Sequence, residues 1–80
     1  MPDYRFLAVN LRRFRGDAHL SQVDVARAAG APFTQQYVSA IERGLHPSDR
    51  AHVSILASVL NVSEVALLRR VRVVGSRVAA

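Results

Sequence analysis

The chain contains no cysteine and no lysine, and it has no apolar run of membrane-spanning length. Without cysteine, neither a disulfide nor a thiolate-held metal can staple the fold. A bilayer span needs ~18–20 apolar residues in succession. The short run Phe6-Leu7-Ala8-Val9 is too brief even for the core of a secretion signal, and Asp3 sits close to it. A soluble, cytoplasmic protein is the expectation. His19, His46 and His52 follow no recognised metal-ligand spacing, and neither a phosphate-cradling glycine loop nor a nucleophile motif occurs. Ser21 and Ser48 read as helix caps rather than nucleophiles, so no enzyme and no cofactor is expected.

What is present bounds the answer from the other side. Eighty residues, half of them hydrophobic, suit one small domain that buries ~60–65% of its unfolded surface. Eleven arginines against six acids give a net charge of +5 and a pI near 11.4. Such an excess favours a polyanionic partner, nucleic acid or an acidic membrane surface. The arginines are scattered over several segments instead of striping one amphipathic helix, which argues against the membrane.

The organising stretch runs from Ser21 to Gly44. Ser21, with Asp24 three residues on, predicts a capped helix whose inward positions are Val25, Ala26 and Ala29. Gly30 stands where a left-handed closing residue is wanted. Thr34 then predicts the cap of a second helix ending at Gly44. At 100° per residue, Gln35, Gln36, Ser39, Ala40 and Arg43 share one arc of that helix. Tyr37, Val38 and Ile41 share the opposite arc. Adjacent glutamines on a rigid exposed helix can bond bidentately to adenine in a major groove, although a merely solvated face has the same pattern.

Three further helices flank this pair. Asp3 reads as the cap of a helix over 4–15 with Leu7, Leu11 and Phe14 inward, and Gly16 to His19 as its break. A turn at Leu45-His46-Pro47 precedes capping residues Ser48-Asp49 and a helix over 50–60 with Val53, Leu56, Ala57 and Leu60 inward. Asn61 reads as a left-handed closing residue and Ser63 as the cap of a fifth helix, running through Val65, Leu67 and Leu68 to about Arg70. Residues 71–80 read either as a short strand or as a tail. The expectation is an all-α bundle of five helices, with a domain over 1–70 and a tail over 71–80.

The segments LRRFR at 11–15, LSQVDVARAAG at 20–30, TQQYVSAIERG at 34–44 and LASVLNVS at 56–63 together resemble the Cro/C1-type (XRE-type, lambda-repressor-like) helix-turn-helix family. The resemblance covers roughly residues 6–68 and implies a regulator binding double-stranded DNA with sequence specificity. It implies base reading by Gln35 and Gln36, followed on the same face by Ser39 and Ala40. It implies phosphate contacts from Gln22, Thr34, Tyr37 and Arg43, with Tyr37 at the edge and able to reach a phosphate or the core. Arg15 and Glu42 match positions that form an ion pair in relatives. Repression from a palindromic operator by a homodimer is the usual behaviour this implies. Dimerisation would use the fifth helix and the tail, where Val65, Leu68, Val71, Val73 and Val74 exceed the needs of one small core. An antitoxin-type module that binds a toxin or another protein partner is the alternative, with only about ten residues outside the bundle to serve it.

Two features depart from the family pattern. Ala31-Pro32-Phe33 lengthens the turn by about two residues, and proline biases the residue before it away from helical angles, so a widened turn is expected. His19 stands where relatives carry glycine, a less favourable turn residue.

Overall fold

The computed structural model describes residues 3–45 and 49–71, and folds them into five α-helices. These are α1 (Leu7–Asp17), α2 (Gln22–Ala29), α3 (Gln35–Glu42), α4 (Arg50–Leu60) and α5 (Glu64–Leu68). No strand occurs among the described residues. The His46-Pro47 turn, the Ser48 cap and the proposed strand or tail beyond Val71 lie outside them.

Each helix sends one aliphatic side chain wholly out of water: Leu11, Val25, Val38, Leu56 and Leu67 are all 0% exposed. Full burial of such a side chain stabilises by about 1.5–3 kcal/mol, so five short helices that are individually marginal become one cooperative core. α3 packs along α2 and α1, α4 against α2 and α5, and α5 returns to α1. One polar group is built into this core. Asn10, 2% exposed, donates from Nδ2 to the carbonyls of Leu67 at 2.8 Å and Arg69 at 2.9 Å, fastening the end of α5 to α1. It sits on the same stripe as Leu7, Leu11 and Phe14, where an apolar residue would be the ordinary choice.

Side-chain caps start four of the helices. Ser21 accepts from the Asp24 amide while Asp24 accepts in return from the Ser21 amide, a complete capping box. Thr34, Asp49 and Ser63 accept from the amides of Tyr37, His52 and Ala66. Asp3 does not cap α1. Its carboxylate takes the backbone and guanidinium N–H groups of Arg5 instead, and the helix begins at Leu7, not residue 4.

Helix ends differ from expectation in small ways. α1 continues through Gly16 to Asp17, since an isolated glycine costs a helix only about 1 kcal/mol. It closes with His19 at φ +60, where the amides of His19 and Leu20 bond back to Gly16 and Arg15. The same double closure recurs at Gly44 (φ +71) after α3 and at Asn61 (φ +56) after α4. Gly30 is not left-handed in the usual sense: its φ of +78 combines with an extended ψ of 177, a region open essentially to glycine alone. The lengthened turn is not loose either. The Phe33 amide bonds to the Gly30 carbonyl at 2.8 Å across a cis Ala31–Pro32 peptide, and Phe33 drops into the core, 6% exposed. α5 stops at Leu68, because Arg69 is already extended.

Candidate nucleic-acid interface

The two arcs of α3 separate sharply in exposure. Val38 and Ile41 are buried against α1 and α2, which fixes the helix about its own axis. Gln35 and Gln36 are exposed on the first turn, Ser39 and Ala40 are half-buried on the second, and Arg43 is exposed just beyond the last. The structure therefore brings these five residues to one accessible strip. Thr34 is exposed at its head, with its hydroxyl already accepting the Tyr37 amide. The Arg43 Nε–H reaches the Ser39 carbonyl at 3.4 Å, so its guanidinium lies back along the strip.

Behind the strip sits a charged hub centred on Glu42, 5% exposed. The Arg15 guanidinium approaches it with Nε 2.5 Å from Oε2 and Nη2 3.0 Å from Oε1, a two-pronged contact of the strong kind. Arg15 also donates to the Leu20 carbonyl at 2.9 Å. Gln22 donates its amide to Glu42 Oε1 at 3.1 Å, so the first residue of α2 is braced on the last residue of α3. Arg12 lies outside, donating to the Glu42 carbonyl at 3.4 Å with its Nε 4.0 Å from the carboxylate. Burial works to raise the Glu42 pKa, but the hydrogen bonds from Arg15 and Gln22 and the charges of Arg15 and Arg12 outweigh it. The carboxyl is held below its ordinary value and stays ionised. α1, α2 and α3 are thus tied at one point by an ion pair and directed hydrogen bonds.

Tyr37 turns away from the strip toward α4. Its hydroxyl lies 2.5 Å from His52 Nδ1, and its ring meets those of Phe33 and His52 at centroid separations of 5.2 and 5.5 Å. Burial, and after it the charge of Asp49, raises the Tyr37 pKa, so the phenol that meets the imidazole keeps its proton. The sequence pattern assigns no role at this interface to Phe33 or His52. The signal available was the odd length of the turn, which needs a reason and finds it in Phe33. Asn10 and the Arg12 contact were missed as well; a polar residue on an apolar stripe was the clue to the former.

An exposed amide strip with an arginine at its end, on a rigid helix, can bond to base edges while the cation meets a phosphate. With that geometry established, the comparisons become informative. A family model described as a helix-turn-helix domain matches residues 7–72. A solved structure described as a hypothetical transcription factor NHTF from Neisseria is similar over 96% of this chain and 84% of its own, with 32% identity and a TM-score of 0.78. No curated protein matches the chain significantly.

Proposed function

This chain belongs to the helix-turn-helix domain family and is a DNA-binding regulator, and from that premise we propose that it is a sequence-specific repressor that reads a palindromic operator as a homodimer. The observation that carries the reading is the split of α3, one arc sealed into the core and the other presenting Gln35 and Gln36 to solvent. In this reading Gln35 and Gln36 contact base edges, with Ser39 and Ala40 close enough to meet a thymine methyl or a second base. Arg43 and Gln22 meet the backbone, which adds a salt-dependent and sequence-blind term.

The homodimer is supported by a groove of about 640 Å³ between Tyr4, α4 and α5. Val65, 68% exposed, and the half-buried Leu68 line it. Its rim carries Arg50 and Arg69 beside Glu64, with the Arg50 Nε 3.9 Å from a Glu64 oxygen. A patch holding both a protruding apolar residue and both signs of charge offers what a two-fold contact with a second copy requires. None of its lining residues belongs to α2 or α3, so a second copy seated there leaves the amide strip free.

Selection from a random duplex pool at two salt concentrations tests the reading. Wild type enriches a two-fold-related site. Gln35→Ala and Gln36→Ala relax the choice of individual bases, each by about 1–3 kcal/mol of discrimination. Arg43→Ala weakens all duplexes alike and lowers the salt slope by about one unit. Wild-type sequence preference in both glutamine variants would defeat the proposal.

A further inference from the structure

The lengthened turn before α3 builds a three-ring cluster that bears directly on the amide strip. Phe33, from the turn, stands 5.2 Å from both the Tyr37 and His52 rings, and the Tyr37–His52 pair is nearly perpendicular at 83°. Tyr37 is the residue after Gln36, and it is held at both ends. Its amide donates to the Thr34 hydroxyl at 3.1 Å and its phenol reaches His52 Nδ1. His52 is itself held, its amide donating to Asp49 Oδ1 at 2.9 Å at the start of α4.

Resting on the DNA-reading role of α3, we propose that His52 is a positioning residue for base recognition: through the Tyr37 hydroxyl it fixes the first turn of α3 and so aims Gln35 and Gln36. The physical reason lies in leverage. The core residues Val38 and Ile41 and the Glu42 hub hold the middle and far end of α3, whereas the glutamines occupy its first turn. Helix ends fray first, and side-chain amides carried on a frayed turn cannot be presented in a fixed bidentate geometry. The phenol–imidazole bond supplies a second tether one residue past Gln36, on the side facing away from the strip. His52 meets no base itself.

The test uses the full chain and the duplex selected above. Tyr37→Phe keeps the ring and removes the hydroxyl; His52→Leu removes its ring-nitrogen partner; His52→Asn restores a hydrogen-bonding group close to the Nδ1 position. The ratio of operator to random-duplex affinity falls about 3- to 10-fold in Tyr37→Phe and in His52→Leu, as expected for one hydrogen bond. The double variant falls no further than either single variant, and His52→Asn recovers most of the loss. In the free proteins, ¹H–¹⁵N spectra show the Gln35 and Gln36 amides displaced by Tyr37→Phe and by His52→Leu and returned by His52→Asn. If Tyr37→Phe instead weakens operator and random duplex equally, with a smaller salt slope, while His52→Leu does nothing, Tyr37 is a phosphate contact and the inference is overturned. Unchanged ratios in these variants, alongside lost selectivity in Gln35→Ala and Gln36→Ala, also overturn it but leave the DNA-reading role standing. Selectivity retained by the glutamine variants ends both.

Discussion

At its C-terminal end α3 is held by charge, and at its N-terminal end by rings. The Glu42 hub draws Arg15 from α1 and Gln22 from α2 onto one buried carboxylate, through bonds that are short and directional. The Phe33–Tyr37–His52 cluster fills space between the turn, α3 and α4, and includes the directed phenol–imidazole contact. The first anchor depends on ionisation and the second on ring packing and one hydroxyl. The exposed strip runs between them, so its geometry is set by both, and the two can be broken separately.

The largest effect is expected at the ring end. Phe33→Ala removes a nearly buried ring and leaves a cavity under the first turn of α3, costing about 3–5 kcal/mol in urea unfolding. At the charged end, Arg15→Met strands a carboxylate whose side chain is only 2% exposed, and costs about 3 kcal/mol by the same measurement. The double variant Arg15→Met with Glu42→Leu loses less than the sum of the two single variants, because no unpaired charge remains.

Acid separates the anchors further. Glu42 has a folded pKa below its ordinary value of 4.5, so its contribution is complete above that value and is lost as pH falls through the lower, folded one. Between pH 5 and pH 3 wild type therefore loses more stability than the Arg15→Met, Glu42→Leu double variant, as urea titrations at the two pH values would record. Equal losses would mean the hub is not the acid-sensitive element. The smallest effect lies away from both ends. His19→Gly relieves a left-handed φ of +60 and raises stability by about 1 kcal/mol, with DNA selectivity unchanged.

This contrast also marks what could be read in advance. The capping box at Ser21 and Asp24, the Thr34 and Ser63 caps, the left-handed Asn61 and the inward residues of α4 were legible, since each depends on neighbours within four positions in sequence. The split of α3 into a buried and an exposed arc followed from its period. The Arg15–Glu42 contact spans 27 residues and came only through a resemblance, because no local rule pairs residues so far apart. The ring cluster had no such help. It depends on a turn folding back through the Phe33–Gly30 hydrogen bond, where proline suggested widening. Asp3 misled for a related reason: a carboxylate beside an arginine had a stronger local partner than the helix amides.

Whether α3 reads bases through its glutamines is decided by the ¹H–¹⁵N spectrum of the chain titrated with its selected duplex, with the side-chain amides of Gln35 and Gln36 assigned. These two pairs of amide signals are expected to shift most, together with the backbone of the first turn of α3. Shifts concentrated instead around Val65, Leu68 and Arg69, with the glutamine amides unmoved, would place the duplex on the α4–α5 face and contradict base reading by α3.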